Sequence, residues 1–426
     1  MNKLIARDTY LKQALLFRDT DLIKVITGVR RCGKSSLLAL IRQQLEAEKV
    51  PGRAFVSLNL ESKAVSIENS DELYTYCKKQ ASSQGKTYFF IDEPQQLPSW
   101  EKAINALRID IDCDIYITGS NAFLLSSELS TLLSGRYVEI RMLPLSFSEF
   151  LDFNGLSFPS NRAVTLDYQG QPVLFDDVFA HYLTYGGFPE LASVETTQEM
   201  HSVYTSGMYE TVVTKDVLNR ERIHGRSQVT SAETLSNIAT YLADNIGNLL
   251  STKTIANVLT DAGDKTSHVT AMSYIRALDE AYLFYRAGRY DVHGKELLRT
   301  MPKQYIVDLG LRSFLEGYRN TDSGRVFENA VYLQLLYQGY TVHVGKLYTK
   351  EIDFIAIKNA QRLYIQVTDD LSDEKTRERE LAPLQSIPDN FPKFVVTRNR
   401  TLLTDVEGIR ILSAQQFFTQ SWNAGV

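Results

Sequence analysis

The feature that most constrains this chain is a glycine-rich run between an apolar segment and a helical pattern. Gly28-Val-Arg-Arg-Cys-Gly-Lys-Ser35 fits G-x-x-x-x-G-K-[S/T] without a mismatch. Lys24–Thr27 before it predicts a buried strand, and Ser36–Leu45 after it predicts a helix with one apolar face. A strand, a tight loop and a helix in this order indicate a parallel α/β sheet that carries the loop at its edge.

The run has the chemistry of a phosphate-binding loop. Glycines let the backbone N–H groups approach a phosphate, and the helix N-terminus adds partial positive charge. We expect Lys34 to reach the β- and γ-phosphates of a nucleoside triphosphate and the Ser35 hydroxyl to ligate Mg²⁺. The residues expected to bind the nucleotide are Gly28, Val29, Arg30, Arg31, Cys32, Gly33, Lys34, Ser35 and Ser36. Within this set, Arg30 and Arg31 face either phosphate or solvent, and Cys32 packs. A chance match at a strand–helix turn is the alternative.

A second apolar strand ends in two acids. Tyr88-Phe-Phe-Ile91 is followed directly by Asp92 and Glu93. Together with the loop, this pattern predicts a Walker B strand in which Asp92 holds the magnesium and Glu93 polarises the attacking water. The alternative is a pair of acids that end a strand without a catalytic role.

A third strand, Ile115–Ile117, leads into Thr118-Gly-Ser-Asn121. We expect this strand to lie between the loop strand and the Walker B strand. A polar side chain at its tip would then reach the attacking water or the γ-phosphate. Ser120 is the first choice and Asn121 the second, whereas an ordinary turn is the alternative.

The rest of the chain divides by pattern into four segments. Residues 1–150 predict the nucleotide-binding sheet with an N-terminal linker, and 151–235 a helical lid or connector. Residues 236–320 resemble a winged helix, with a helix from Ser251 to Leu259, a second from Ser267 to Glu280, and a wing strand in Leu283–Tyr290. Residues 321–426 predict a small α/β domain.

The winged-helix region leaves its partner open. Lys265, His268 and Arg276 could face nucleic-acid phosphates. The segment from Asp244 to Glu280 is not conspicuously basic, and such modules also mediate protein contacts.

As a set, these motifs resemble the bacterial and archaeal AAA-type ATPases whose C-terminal half is the domain of unknown function DUF4143. Further shared markers are Ser134-Gly-Arg136, Pro144-Leu-Ser-Phe-Ser-Glu-Phe150, Tyr185-Gly-Gly-Phe-Pro189, Gly324-Arg-Val-Phe-Glu-Asn329 and Glu351-Ile-Asp-Phe354. The resemblance implies that Arg136 is an arginine finger acting on a neighbouring subunit, and hence a homo-oligomer. The alternative for Arg136 is a surface ion pair, for example with Glu139.

The C-terminal segment is similar to the PD-(D/E)XK nuclease core, which gathers carboxylates around magnesium. Glu328 and Asp353 fit that pattern. Gln366 stands where an acid is expected and Thr368 where a lysine is expected, and neither can replace the missing group. We therefore expect a nuclease-like fold without cleavage. The alternatives are ordinary surface acids or a degenerate site that still holds DNA or a metal.

Composition limits the function classes. The net charge is −5 and the pI is about 5.8, so charge does not argue for a dedicated nucleic-acid binder. Three cysteines at wide spacing predict neither a disulfide framework nor a zinc site. No apolar run could span a membrane and no secretory signal is evident, so we expect a cytoplasmic protein.

Two functions follow as hypotheses. The first is a Mg²⁺-dependent ATPase that couples hydrolysis to rearrangement of an oligomer on DNA. The second is a nucleotide-controlled switch whose C-terminal half binds protein partners. The absence of an Asn-Lys-x-Asp guanine motif favours ATP over GTP.

Overall fold

The protein is described here by a computed structural model. It covers residues 4–62, 65–122, 133–158, 165–219, 229–261, 263–294, 296–319 and 322–420. The chain divides into two compact units: Met1–Pro144 with Glu280–Tyr282, and Leu145–Asp279 with Leu283–Val426.

The first unit is built on a five-stranded sheet in which every pair of neighbours is parallel. The strands are β1 Ile23–Thr27, β2 Phe55–Asn59, β3 Thr87–Asp92, β4 Cys113–Gly119 and β5 Tyr137–Arg141. The helices are α1 Asp8–Leu16, α2 Lys34–Ala47, α3 Ser70–Gln80 and α4 Trp100–Asp110. β1 and β3 are buried along their whole length, as expected for parallel strands covered on both faces. The predicted parallel α/β sheet is confirmed.

The strand order positions the motifs. It is β2-β3-β4-β1-β5, so β4 lies between the loop strand β1 and the strand β3 that ends in Asp92. All five strands run the same way, and the residues that follow β1, β3 and β4 therefore meet at one edge of the sheet.

The second unit contains a mixed eight-stranded sheet in the order β14-β15-β13-β12-β11-β10-β8-β9. Its strands, together with the separate hairpin β6–β7, are β6 Thr165–Tyr168, β7 Gln171–Leu174, β8 Phe284–Asp291, β9 Glu296–Ile306, β10 Thr341–Leu347, β11 Lys350–Lys358, β12 Gln361–Thr368, β13 Lys393–Thr397, β14 Asp405–Val406 and β15 Ile409–Ser413. Its helices are α5 Phe147–Phe153, α6 Phe175–Tyr185, α7 Gln198–Thr211, α8 Ala232–Asp244, α9 Thr252–Asp261, α10 His268–Glu280, α11 Leu309–Leu315, α12 Ser323–Tyr337, α13 Glu374–Gln385 and α14 Ala414–Thr419. A π-helical segment, Val212–Asn219, continues α7.

The strand expected in a wing belongs to this large sheet. β8 pairs antiparallel with β9, as a wing strand would, and it also pairs in parallel with β10 through Val344–Arg289 and Gly345–Tyr290. The hairpin β8–β9 therefore forms one end of the eight-stranded sheet. The helix pair α9 and α10 starts where the sequence predicts, because Ser251 and Ser267 each accept a hydrogen bond from an N–H of the following first turn.

Candidate functional site

Two glycines shape the loop after β1. Gly28 has a φ of +147°, and a Cβ on it would lie 2.2 Å from the carbonyl oxygen of Met142. Gly33 has a φ of +101° and is the N-cap residue of α2. Both positions require glycine, because an L side chain rarely adopts these angles and the first has no room for one.

Lys34 lies inside the loop. Its side chain is buried, and Nζ donates to the carbonyl oxygens of Gly28 at 3.1 Å and Val29 at 3.2 Å. Nζ also lies 3.8 Å from Oε1 of Glu93. The ammonium group thus sits at the centre of the loop, next to the acids that end β3.

Ser35 and Asp92 meet at the sheet edge. The Ser35 hydroxyl donates to Oδ2 of Asp92 at 2.7 Å, and the Asn59 amide donates to the same oxygen at 3.2 Å. The Thr118 hydroxyl donates to Oδ1 of Asp92. Four elements, β2, β3, β4 and α2, therefore place hydroxyl, amide and carboxylate groups around one point.

Glu93 is held in an uncommon backbone conformation. Its φ of 54° lies in the left-handed region, which costs a non-glycine residue about 1–3 kcal/mol. Its N–H donates to the Thr118 hydroxyl at 3.0 Å, and its Oε2 accepts from the backbone N–H and hydroxyl of Ser120 at 3.3 and 3.2 Å. The Gln95 amide donates to the same oxygen. Ser120, the first choice for the tip of β4, thus contacts the carboxylate predicted to polarise water, and Asn121 is buried beside it.

The remaining loop residues point in different directions. Arg30 forms an ion pair with Glu61 at 3.2 Å, and Ser36 is exposed on α2. Cys32 is fully buried, and this burial raises the pKa of its thiol. Arg31 is exposed with a φ of 70°.

Arg7 supports the loop from behind, a contact that no sequence motif indicates. Its buried guanidinium donates to the carbonyl oxygens of Cys32 at 3.0 Å, Leu143 at 3.1 Å and Pro144 at 3.3 Å. One side chain from the segment before α1 therefore joins the loop to the residues that follow β5.

Arg136 lies away from these groups. It is exposed, and it precedes β5, whose first residue Tyr137 is paired with Ile23 at the start of β1. The loop follows Thr27 at the other end of that strand, roughly 13 Å away at about 3.3 Å per residue. Nη1 of Arg136 donates to Asn105 at 3.3 Å, whereas Glu139, its suggested ion-pair partner, forms an ion pair with Arg141 at 3.2 Å.

A second group of acids lies in the second unit. Nζ of Lys303 on β9 is 3.2 Å from Oε1 of Glu328 and 2.7 Å from Oε1 of Glu351, and the Tyr305 hydroxyl donates to Glu328 at 2.6 Å. Burial alone lowers the pKa of Lys303, but Glu328, Asp353 and Glu351 together raise it above its ordinary value. No sequence motif predicts a cation beside Glu328. Lys303 is therefore a residue of this group that the sequence analysis did not identify.

The predicted acid Asp353 is half-buried on β11. Burial and the nearby Glu328 raise the pKa of Asp353 well above its ordinary value, although Lys303 and the N–H of Val367 oppose that shift. Oδ2 of Asp353 accepts from the Val367 N–H at 2.8 Å. The Gln366 amide donates to Glu380 at 2.9 Å, so the side chain at the position of the missing acid is bonded to another acid. Glu328, Asp353, Gln366, Thr368 and Glu380 line one cavity of about 550 Å³.

The two groups differ in how well they fit a metal ion. At the first, a hydroxyl and a carboxylate oxygen already lie within hydrogen-bond distance, and such hard oxygens suit Mg²⁺. At the second, an ammonium contacts the acids. Within the described part of the chain, no group of three or more His, Cys, Asp or Glu side chains is arranged to hold a metal.

Comparison with known proteins agrees with the first site. Residues 20–151 match the family model of an AAA domain. An uncharacterized protein of Haemophilus influenzae is 39% identical over 419 residues, which cover 98% of this chain and 99% of that protein. The chain belongs to the family of that protein. Its first unit contains an AAA-type P-loop ATPase domain, which binds and hydrolyses a nucleotide.

Further similarities are more distant. An uncharacterized protein of Methanocaldococcus jannaschii is 29% identical over 392 residues, covering 89% of this chain and 80% of that one. The Walker-type ATPase of Pyrococcus abyssi is 13% identical with a TM-score of 0.46, covering 74% of this chain and 96% of that one. The ORC2 protein of Aeropyrum pernix is 10% identical with a TM-score of 0.38, covering 76% and 92%.

The second unit matches a different domain from the one expected. Residues 176–322 match the family model of the domain of unknown function DUF8612. The resemblance to DUF4143 is therefore not confirmed. No helix in the described ranges is long and apolar enough to cross a membrane.

Proposed function

We propose that the AAA domain binds ATP with Mg²⁺ and that hydrolysis drives rearrangement of a homo-oligomer in the cytoplasm, where it acts on DNA. The observation that carries the magnesium part is the contact between the Ser35 hydroxyl and Asp92 at 2.7 Å, beside the buried Lys34. A hydroxyl from the loop and a carboxylate from the neighbouring strand end are the donors that a P-loop site offers to Mg²⁺.

Each residue then has a distinct role. Lys34 and the N–H groups of the loop bind the phosphates, and Ser35 with Asp92 would hold the magnesium, which supplies charge neutralisation at the β- and γ-phosphates. Glu93 orients the attacking water and accepts its proton. Ser120 fixes the Glu93 carboxylate through its hydroxyl and N–H. The left-handed φ of Glu93 sets the direction of its carboxylate. Such a strained backbone conformation persists only where the surrounding structure holds it.

Two substitutions test this chemistry. Lys34→Ala should abolish ATP binding, because its ammonium is the charge inside the loop. Glu93→Gln should keep ATP affinity and lower turnover about 100-fold or more, since an amide cannot accept the proton. Glu46→Gln, an exposed glutamate on α2, is the matched control and should turn over ATP normally. Normal hydrolysis by Glu93→Gln would overturn the role given to Glu93.

Arg136 would complete the site of a neighbouring subunit. What supports this is its exposure at the edge of the sheet opposite the loop, from which it does not reach its own site. Subunits with Arg136→Ala and subunits with Lys34→Ala should each be inactive alone. Mixing them should restore part of the turnover, because intact loops then face intact arginines. If the mixed subunits have a native mass above that of the monomer and ATP turnover does not recover, Arg136 is not an arginine finger.

Coupling to DNA is supported by the helix pair α9 and α10, which resembles the helices of a winged helix. Lys265, His268 and Arg276 are exposed there. We expect duplex, branched or single-stranded DNA to stimulate ATP turnover and to bind less tightly as salt rises, because phosphate contacts release counterions. An equal turnover with all three DNAs and without DNA, and no DNA binding at low salt, would reject this part.

A nucleotide-controlled switch that binds a protein partner is the second candidate. The same helix pair exposes apolar side chains: Val258 is 44% exposed, Val269 51% and Met272 55%. Apolar residues among the basic ones favour protein contact over phosphate contact. Substituting Val269 and Met272 together by Ser should leave DNA-stimulated turnover unchanged under the first hypothesis and should weaken partner binding under the second.

The four-segment organisation also stays a proposal, with the winged-helix region at 236–320 and a nuclease-like domain of DUF4143 type at 321–426. We propose that this last domain does not cleave nucleic acid. Gln366 and Thr368 lack the required groups, and Lys303 already neutralises Glu328 and Glu351. Incubation with Mg²⁺ or Mn²⁺ and each DNA should leave the DNA intact, and cleavage that Asp353→Asn removes would contradict this.

A further inference from the structure

Gln95 contacts the carboxylate that is expected to polarise the attacking water. It lies in a one-turn 3₁₀ helix, Pro94–Gln96, directly after Glu93. Its side chain is half-buried, and its amide donates to Oε2 of Glu93. The next residue, Gln96, is exposed. Of two adjacent glutamines, Gln95 thus contacts the candidate site and Gln96 faces solvent.

The orientation of the Gln95 amide is fixed by its partner. An ionised carboxylate can only accept hydrogen bonds, so the NH₂ group and not the carbonyl oxygen must face Oε2 of Glu93. The carbonyl Oε1 of Gln95 lies on the other branch of the amide. It is buried and accepts no hydrogen bond from the described residues. A buried acceptor without a donor lowers the stability of the folded state.

An apolar side chain would therefore be better for stability at this position. Methionine has a similar length and carries no strong acceptor that needs a donor. Rules of local stability are broken mainly at functional sites, where a group is retained for what it does in the reaction. The buried, unpaired oxygen of Gln95 indicates in this way that its amide serves Glu93.

Oε2 of Glu93 is surrounded by donors. Besides the Gln95 amide, it accepts from the backbone N–H and the hydroxyl of Ser120 at 3.3 and 3.2 Å. A carboxylate oxygen has about two lone-pair directions, so these three donors occupy Oε2. Oε1 lies on the side of the loop, where Nζ of Lys34 is 3.8 Å away. The oxygen of Glu93 that can accept a proton is then Oε1.

We propose that Gln95 is a positioning residue for ATP hydrolysis, which together with Ser120 holds Oε2 of Glu93 so that Oε1 receives the proton of the attacking water. This inference rests on the proposed role of Glu93 as the general base. In that step the water oxygen bonds to the γ-phosphorus and its proton passes to Oε1. The bond from the phosphorus to the bridging oxygen breaks, and its electron pair leaves on ADP. Without the Gln95 amide the carboxylate rotates more freely, and fewer of its orientations present Oε1 to the water.

Gln95→Met tests the proposal, because it removes both polar groups and keeps the length of the side chain. We expect kcat for ATP to fall about 10–100-fold while KM changes less than about twofold, since the phosphate contacts are untouched. The melting temperature should stay the same or rise, because the buried acceptor is gone. Gln96→Met, at the exposed neighbour, is the matched control and should change neither quantity. A merely structural residue would instead lower kcat and stability together.

A double variant separates this proposal from the role of Glu93. If Gln95 acts through the carboxylate, Glu93→Gln combined with Gln95→Met should release phosphate at the rate of Glu93→Gln alone, because the group that Gln95 holds is already lost. Multiplication of the two losses would overturn the positioning role. So would a kcat of Gln95→Met within about twofold of the unchanged protein, or a parallel loss of kcat and stability. In each of these cases a Glu93→Gln protein without turnover still supports Glu93 as the base, whereas normal turnover by Glu93→Gln overturns both roles.

Discussion

The two units each bring a lysine into contact with acids, and the two arrangements have opposite consequences. Lys34 donates to two backbone carbonyls and stays 3.8 Å from Glu93. Lys303 lies 3.2 Å from Glu328 and 2.7 Å from Glu351. The first lysine can exchange carbonyl contacts for phosphate contacts, whereas the second is bound to carboxylates that would otherwise be available to a metal.

The acids differ in the same way. Asp92 accepts from the hydroxyls of Ser35 and Thr118 and from the Asn59 amide, all of which are neutral donors. Asp353 is half-buried, and desolvation together with the nearby Glu328 raises its pKa well above its ordinary value. A carboxylate at the right place in a fold is thus not enough for metal chemistry, because the neighbours decide whether it stays ionised and free to bind.

The largest expected effect separates the two lysines. Lys303→Met leaves Glu328 and Glu351 without their buried cation and should lower the free energy of unfolding by about 3–5 kcal/mol. Lys34→Met should change stability little and should abolish ATP binding, as expected for Lys34→Ala, because the ammonium inside the loop is lost. Denaturant unfolding and ATP titration of both variants measure the two effects. A stable Lys303→Met protein would show that its acids are not neutralised by the lysine.

Two motif glycines should also respond in opposite directions. Gly28→Ala puts a Cβ 2.2 Å from the Met142 carbonyl at a φ of +147°, so we expect a loss of about 1–3 kcal/mol in stability. Gly324→Ala meets no atom within 4 Å on α12 and should stabilise by about 0.5–1 kcal/mol. Thermal unfolding of both compares them, and a neutral Gly28→Ala would mean that the loop relaxes around the added carbon.

A smaller effect tests whether the missing acid can be restored. Gln366→Glu places a carboxylate against Glu380, to which the Gln366 amide donates at 2.9 Å. We expect a loss of about 1–2 kcal/mol at neutral pH, since a donor becomes a like charge. The loss should shrink as the pH falls, because one of the two carboxyls then carries a proton. Gln171→Glu, on the exposed strand β7, is the control. If Gln366→Glu gained Mg²⁺ binding, the conclusion that the acids of the second unit do not bind a metal would be wrong.

The smallest effect concerns Asp353. Because burial and Glu328 favour its protonated form, the neutral Asp353→Asn should change stability by less than about 1 kcal/mol at neutral pH. The pKa of Asp353 is higher in the folded state than its value of about 3.9 in the unfolded state. Protonation of Asp353 therefore contributes fully to stability below about pH 3.9. This contribution is lost as the pH rises through the folded-state pKa. The stability of the unchanged protein should therefore fall relative to Asp353→Asn with rising pH. A parallel pH series with the exposed Asp112→Asn provides the baseline.

Local patterns predicted the strand, loop and helix around Gly28–Ser35, which the structure contains, whereas the roles of the site residues stay predictions. The loop and the strand before it are contiguous in sequence, so their geometry follows from the strand–loop–helix unit itself, and Asp92 and Glu93 lie at the end of a single apolar strand. The position of β4 between β1 and β3 was also predicted and is confirmed by its parallel pairing with both. Thr118 belongs to the Thr118–Asn121 motif, but its hydrogen bond to Asp92 depends on the register between two strands.

Contacts made across the fold were not predictable in this way. Asn59 joins Asp92 only because β2 lies beside β3. Lys303 was missed together with its strand, because Pro302 interrupts the pattern and proline argues against a strand interior. β9 tolerates this proline as the last strand of the sheet order, where one side of the backbone has no neighbouring strand.

The Arg7 contacts bear on how the protein can be shortened. A chain that lacks its first sixteen residues would keep every motif of the P-loop domain, yet the carbonyls of Cys32, Leu143 and Pro144 would lose a shared donor. The segment before α1 therefore supports the nucleotide-binding loop through the hydrogen bonds of Arg7, although we assign it no contact with phosphate. Removal of these N-terminal residues should disorder the loop first, while the five-stranded sheet remains folded.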